Sequence, residues 1–183
     1  QSVKQWVSLY GFDGFRFDLM GILDIQTMQQ IADELKALYP NIYLYGEGWQ
    51  MDTGLANERL AHQYNASQLP DYGFFSDHFR DRLKQTIAQG RQIESKTPAS
   101  QLENVLTANV GLKGEAHFTA PQQAINYVEC HDNATVFDYF DIVNLLSPYG
   151  IGWPIRGWLS ISSCWLKVFP LSTAVRNFSG LKI

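Results

Sequence analysis

Three acidic residues have neighbours that could assist chemistry at a carboxylate. Asp18 follows Phe-Arg-Phe, Glu47 lies between two glycines and before a tryptophan, and Asp132 lies between a histidine and an asparagine. Two carboxyl groups can cleave a glycosidic bond when one attacks the anomeric carbon and the other protonates the leaving oxygen. The acids therefore suggest sugar cleavage, but their residue types alone fit structural ion pairs equally well.

Residues beside the acids favour the catalytic interpretation. Arg16 shares a strand face with Asp18, so it could hold that carboxylate ionised and aimed. Two glycines would leave room around Glu47, and Trp49 could stack on a sugar ring beside it. His131 taken alone would more often be a hydrogen-bonded structural residue.

The elements that must position these acids follow an alternating pattern. Apolar spacing predicts a helix ending before Gly11, a strand at Gly14–Asp18 and a helix from the Asp24 cap to Pro40. Further predictions are a strand at 41–45, a loop at 51–73, a helix at 76–90, a weakly patterned loop with one helical turn at 91–121 and a strand at 124–130. Alternating strands and helices predict a parallel α/β sheet, whose sites gather at the carboxyl ends of strands.

The composition narrows the possible classes of protein and of partner. The chain has 183 residues, 45% of them apolar, with 14 basic and 18 acidic residues and a net charge of −4. This is a globular composition that suggests neither a nucleic-acid partner nor a membrane partner. Cys130, expected to be a small buried residue, and Cys164 form no metal or disulfide pattern. The histidines His62, His78 and His117 lack ligand spacing, so no metal site is predicted.

The chain begins with Gln1, and no targeting stretch is visible at its start. The sequence therefore predicts no compartment.

The motifs resemble one family. Gly-Phe-Asp-Gly-Phe-Arg-Phe-Asp, ending at Asp18, resembles the fourth-strand motif of the α-amylase superfamily, glycoside hydrolase family 13. Gly-Glu-Gly-Trp around Glu47 resembles the fifth-strand motif, and His-Asp-Asn around Asp132 resembles the seventh. Leu-Met-Gly after Asp18, together with Tyr-Gly-Glu-Gly-Trp, is most similar to type I pullulanases. These are debranching enzymes that hydrolyse α-1,6 links.

The resemblance implies a role for each matching residue. Asp18 would be the nucleophile and Glu47 the general acid/base of a retaining mechanism. Asp132 would stabilise the oxocarbenium-like transition state, Arg16 would position Asp18, and His131 would bind the sugar. The implied substrates are α-glucans such as pullulan, branched maltodextrin and glycogen. No cofactor is implied; calcium binds some relatives, but no oxygen-ligand loop stands out here.

The resemblance also implies a fold. The family's (β/α)8 barrel has eight strands and needs about 250 residues. Residues 1–144 match only strands four to seven, so we expect a partial TIM barrel with an unpaired edge. We therefore expect this polypeptide alone to fold poorly and to be inactive.

Residues 145–183 fit nothing in the family. When Trp165–Lys182 is read one base out of frame, one allowed codon choice gives AQGVPFIHSGQEFFRTK. That string resembles the family's eighth-strand segment, so we interpret this non-family C-terminal tail as a frameshifted translation. A genuinely divergent terminus is the alternative.

Two other functions remain open. The chain could derive from another enzyme of the superfamily, such as an isoamylase or an α-amylase. It could also be a non-catalytic truncated pseudogene product or a sugar-binding remnant.

Overall fold

A computed structural model describes residues 2–88, 102–112 and 118–146. The elements are α1 (Ser2–Tyr10), β1 (Gly14–Phe17), α2 (Ile25–Lys36), β2 (Tyr43–Gly46), β3 (Tyr72–Ser76), α3 (Asp77–Ala88), α4 (Leu102–Leu106), β4 (Ala124–Asn126) and α5 (Val136–Leu146). Short 3-10 helices occur at Met20–Ile22, Asn57–Arg59, Gln63–Gln68 and Pro121–Gln123. This alternation confirms the predicted α/β class.

The described strands form one sheet in the order β1-β2-β3-β4. β1 pairs with β2, and β2 pairs with β3, both in parallel. The register places Phe17 opposite Gly46, so both strands end at the same edge of the sheet. Residues directly after β1 and β2 are therefore neighbours, as the sequence predicts for Asp18 and Glu47.

Helix α2 shows why this local order forms. Asp24 caps the helix, because its side chain accepts a hydrogen bond from the Thr27 backbone N–H at 2.9 Å. Its apolar stripe packs into the core through Ile25, Met28, Ala32 and Leu35. Leu38, which the spacing includes in that stripe, follows the last helical residue and is exposed.

The predictions for β3 and β4 are wrong in different ways. The sequence predicts that residues 72–76 end a loop and begin a helix carrying Phe75, but Tyr72–Ser76 forms a strand between β2 and β4. Its burial is nearly continuous, since Tyr72, Gly73, Phe74 and Ser76 are all buried, as in a parallel strand covered on both faces. β4 is shorter than predicted, since it ends at Asn126 rather than at Cys130.

The predicted loop at 51–73 contains two of the 3-10 helices. The predicted Ser76 cap is present: the Phe79 N–H donates to Ser76 Oγ at 3.3 Å. The region 91–121 is described at 102–112 and 118–121, where α4 (Leu102–Leu106) supplies one short helix within the weakly patterned segment. The tail from residue 147 onward lies outside the described residues.

The chain divides into two compact units. The first comprises residues 1–75 and 108–125, and its core lies between the sheet and α2. The second comprises residues 76–107 and 126–183; in its described part α3 packs against α4 and α5. Among the described helices, none is both long and apolar enough to cross a membrane.

Candidate active site

Arg16 brings two predicted site residues together in the first unit. Its guanidinium lies 2.5 Å from Glu47 Oε1 and 3.4 Å from Asp18 Oδ1. The two carboxylates differ in environment, because Glu47 is buried while the Asp18 side chain is 70% exposed. Arg16 therefore binds Glu47 more closely than Asp18, whereas the resemblance implies Asp18 as its partner.

Both oxygens of the Glu47 carboxylate have donors. Arg16 contacts Oε1, and the Leu19 backbone N–H donates to Oε2 at 3.2 Å. Charge-assisted hydrogen bonds of this kind stabilise an ionised carboxylate. The Leu19 donor could not be predicted from the sequence, because every residue except proline has a backbone N–H.

The two glycines beside Glu47 serve close packing. A Cβ on Gly46 would lie 2.9 Å from Met20 Cβ, and a Cβ on Gly48 would lie 2.4 Å from the Phe74 ring. Both distances are shorter than atoms tolerate. The sequence predicts space around Glu47, but protein side chains occupy it on these two sides.

Aromatic rings lie close to the Arg16 end of the site. The Arg16 guanidinium lies over the Phe75 ring at 5.6 Å from its centroid, within cation–π range. Phe75 in turn meets Tyr45 edge-on. Trp49 is half-buried, and its backbone carbonyl faces Gly21.

The predicted residues of the second unit lie on an exposed loop after β4. His131 Nε2 is 3.5 Å from Asp132 Oδ2, and both side chains are more than half exposed. Cys130, expected to be buried, is exposed as well. Because β4 ends at Asn126, Asp132 does not directly follow a strand as Asp18 and Glu47 do.

Cys130 holds this loop in a tight turn. Its sulfur accepts a hydrogen bond from the Asp132 N–H at 3.4 Å. Thiol, imidazole and carboxylate atoms of Cys130, His131 and Asp132 lie within 4.8 Å of one another, a set that could hold a metal ion. Exposed groups of this kind are common without a metal, so the cluster by itself does not define a site.

Two partly buried hydrogen bonds hold the backbone of the same loop. Lys84 is buried and donates to the Ala134 carbonyl at 2.7 Å. The Val136 N–H donates to Glu129 Oε1 at 2.5 Å. Burial lowers the pKa of Lys84. Sequence analysis missed Lys84, because a lysine at a helical position normally predicts a solvated face.

Arg80 supports the start of this segment. It donates to the Tyr127 hydroxyl at 2.7 Å, and burial raises the pKa of Tyr127 to about 12.

His62 is a buried histidine in the first unit. Among the described residues its Nδ1 has no hydrogen-bond partner, and burial lowers its pKa. The adjacent Gln63 N–H donates to the Gly48 carbonyl at 2.8 Å, which links this segment to the residue after Glu47. His78 is exposed, and His117 lies outside the described residues.

The fold and the first unit's site define a class. Parallel strands end at one edge, and two acidic residues directly after adjacent strands contact one arginine. Paired carboxylates at such an edge are the arrangement expected of a glycoside hydrolase.

Comparison with known proteins narrows that class. No protein-family model matches the chain. The pullulanase of Bacillus subtilis (strain 168) is 40% identical over 141 residues, covering 74% of this chain and 20% of that protein. The crystal structure of pullulanase type I from Bacillus subtilis str. 168 complexed with maltose has a TM-score of 0.69 at 36% identity. The match covers 79% of this chain and 21% of that one.

A pullulanase from Paenibacillus barengoltzii, in complex with maltohexaose and alpha-cyclodextrin, has a TM-score of 0.67 at 36% identity. That match covers 81% of this chain and 24% of the other. The chain is therefore similar to part of the pullulanases, as its motifs predict. It spans about one fifth of the length of the curated Bacillus subtilis relative.

Proposed function

We propose that this chain carries part of the catalytic site of a debranching enzyme of glycoside hydrolase family 13. That enzyme hydrolyses α-1,6-glucosidic links in pullulan and related α-glucans. The observation that carries the proposal is the shared contact of Asp18 and Glu47 with Arg16. It supports two carboxylates acting on one bond, as glycoside hydrolysis requires.

The proposed substrate class rests on the relatives. The Bacillus subtilis structure is complexed with maltose, and the Paenibacillus barengoltzii structure with maltohexaose and alpha-cyclodextrin. All three ligands are α-glucans. The same class of substrate fits a site with aromatic side chains, here Phe75 and Tyr45, beside the Arg16 guanidinium.

The proposed mechanism has two steps and retains anomeric configuration. In the first, Asp18 attacks the anomeric carbon while Glu47 protonates the departing glycosidic oxygen, leaving a glycosyl ester on Asp18. In the second, Glu47 takes a proton from water, the water oxygen attacks the anomeric carbon, and Asp18 leaves as a carboxylate. The exposed Asp18 is suited to attack.

The remaining roles follow from the resemblance. We propose that Asp132 stabilises the oxocarbenium-like transition state and that His131 binds the sugar. For Trp49 we propose stacking on the sugar, a role that rests on its aromatic side chain close to Glu47 in the sequence. Residues 1–144 would form part of a (β/α)8 barrel.

The test uses the full-length polypeptide, meaning the longer parent enzyme that carries these residues, because the isolated chain is expected to be inactive. Glu47→Gln keeps the shape of the side chain but cannot transfer the proton, so we expect hydrolysis of pullulan to fall at least about 100-fold. The matched control is Glu34→Gln, which removes a half-exposed carboxylate on α2 and should leave the rate unchanged. Unchanged hydrolysis by Glu47→Gln would refute the assignment.

Product analysis separates the rival enzymes. Cleavage of the α-1,6 links of pullulan releases maltotriose, whereas α-1,4 cleavage yields products that keep an α-1,6 link. Proton NMR of the first product formed should show the α-anomer. An α-1,4 pattern would favour an α-amylase, and binding of glucan without turnover would favour a non-catalytic remnant.

We also propose that residues 145–183 are translated out of frame. The support is the family-like string obtained from Trp165–Lys182 after a one-base shift. Sequencing the gene tests this proposal. A reading frame without a one-base insertion or deletion between the codons for about residues 140 and 165 would overturn it.

A further inference from the structure

We propose that the turn Leu19–Gly21 positions Glu47, with the Leu19 N–H as the positioning donor. Residues 19–21 are called the Glu47 turn below. This inference rests on the proposed function, because it assigns the turn to a general acid/base. Leu19 and Gly21 are positioning residues that act through Glu47.

The Glu47 turn holds both the side chain and the backbone of Glu47. The Leu19 N–H donates to Oε2 at 3.2 Å, and the Gly21 N–H donates to the Glu47 backbone carbonyl at 2.9 Å. The Glu47 N–H donates to the Phe17 carbonyl at 3.0 Å. With Arg16 on Oε1, every polar group of Glu47 is bound by a residue between positions 16 and 21.

Leu19 adopts a backbone conformation that leucine avoids. Its φ is 47° and its ψ is 38°, in the left-handed region. Such strain persists only where the surroundings enforce it, and it concentrates at functional sites. The Leu19 side chain is partly exposed, so its own packing does not account for the strain. The conformation instead directs the N–H toward Glu47.

The rest of the turn is fixed by packing. Met20 is fully buried in the core. A Cβ on Gly21 would approach the Trp49 carbonyl oxygen to 1.9 Å, so only glycine fits there. Displacing the turn would therefore require either withdrawing Met20 or opening the contact with the backbone of Trp49.

This arrangement has a consequence for proton transfer. Because an N–H can only donate, the contact with Leu19 keeps Oε2 as an acceptor. Oε1 accepts from Arg16, so both oxygens are held and the carboxyl group that would transfer the proton has a fixed orientation.

The first experiment compares two glycine substitutions in the full-length polypeptide. Gly21→Ala forces the turn away from Trp49, whereas Gly54→Ala is the matched control, since a Cβ there meets nothing within 4 Å. Two rates are measured: hydrolysis of pullulan, and first-turnover release of fluoride from α-maltotriosyl fluoride. Fluoride leaves without protonation, so its release does not need the acid.

We expect Gly21→Ala to lower pullulan hydrolysis about 100-fold, the cost of misplacing a catalytic group by about 1 Å. Fluoride release should be unchanged, and Gly54→Ala should alter neither rate. Equal losses on both substrates would show general damage to the site and overturn the proposal. Unchanged pullulan hydrolysis would overturn it too.

A second variant tests the donor alone and does not depend on Gly21→Ala folding. Incorporating leucic acid at position 19 replaces the N–H by an ester oxygen and keeps the side chain. We expect the same selective loss of pullulan hydrolysis. Urea unfolding is measured for this ester variant, for Glu47→Ala and for the two changes combined.

If the N–H bonds to Glu47, the ester lowers the free energy of unfolding less in the Glu47→Ala background than in the parent. Additive losses of unfolding free energy would show that the Leu19 N–H does not bond to Glu47, whatever the activity of the variants. Conversely, an unmodified full-length parent enzyme that does not hydrolyse pullulan would refute the proposed function, and the unfolding measurements would still decide whether the turn positions Glu47.

Discussion

The surroundings of Glu47 and of Asp132 differ in how the chain fixes a carboxylate. Glu47 is buried, directly follows a paired strand, and is bound by residues of the preceding strand and turn. Asp132 is exposed, follows β4 at a distance, and sits on a loop whose backbone is anchored by Lys84 and Glu129. In the first region the structure fixes the functional side chain itself. In the second it fixes the backbone beneath it.

The two regions should therefore respond differently to substitution. Changes near Glu47 should alter stability and catalysis together, because the same contacts serve both. Changes behind Asp132 should mainly alter the position of the loop.

The largest expected effect is that of Arg16→Met. It leaves the buried Glu47 carboxylate without its cation, and breaking such a pair costs about 3 kcal/mol. Urea denaturation of the full-length polypeptide measures the loss, and pullulan hydrolysis should fall as well. Lys4→Met is the control, because its ion pair with Glu34 is more exposed and should contribute less to stability. Equal losses in the two variants would show that the ion pair of Glu47 stabilises the fold no more than an exposed ion pair does.

A smaller effect is expected from Lys84→Met. Methionine keeps the apolar stem but leaves the Ala134 carbonyl without its donor, which should cost about 1–2 kcal/mol. Displacement of the Asp132 loop should lower kcat/KM about 10-fold. Lys36→Met, which removes an ion pair with Asp71 between two less buried side chains, is the control for loss of a lysine. If Lys84→Met lowers stability but leaves kcat/KM unchanged, the loop does not depend on this anchor.

The smallest effect concerns pH and His62. Burial lowers the pKa of His62 in the folded state, so the unfolded chain binds more protons as the pH falls below about 6.5. Stability from the neutral histidine is therefore complete above that pH and decreases as the pH falls toward the lowered folded value. We expect the melting temperature of the full-length polypeptide to drop between pH 7 and pH 5.

His62→Gln should reduce that drop, because glutamine does not titrate. His78→Gln is the control, since His78 is exposed. An identical pH dependence in the parent and in His62→Gln would exclude His62 as its source.

The sequence predicted the first unit well where local signals were strong. The α2 cap at Asp24 and the alternation of Phe15 and Phe17 with Arg16 both correspond to the structure. β3 was missed because Tyr72–Ser76 is short, contains Gly73 and follows a polar loop. β4 was overextended because Tyr127 and Val128 are buried without lying in the strand, and burial alone resembles a strand pattern.

The sequence predicted which residues belong to the site, but only some of the contacts between them. The motifs identified Asp18, Glu47 and Arg16, but the closer partner of Arg16 is Glu47. Periodicity could not reveal the Leu19 donor, since leucine in the left-handed region contradicts its intrinsic preference. Nor could it reveal buried Lys84, whose environment depends on residues distant in sequence.

The glycines beside Glu47 restrict which side chains can be introduced at positions 46 and 48. At Gly48 even a methyl group collides with the Phe74 ring, and at Gly46 it collides with Met20 and the Phe17 carbonyl. Single substitutions that add a side chain at either position are therefore expected to disrupt the packing around Glu47. A library intended to reshape this side of the site should vary position 48 jointly with 74 and keep Gly46, because the clash at 46 includes the backbone carbonyl of Phe17.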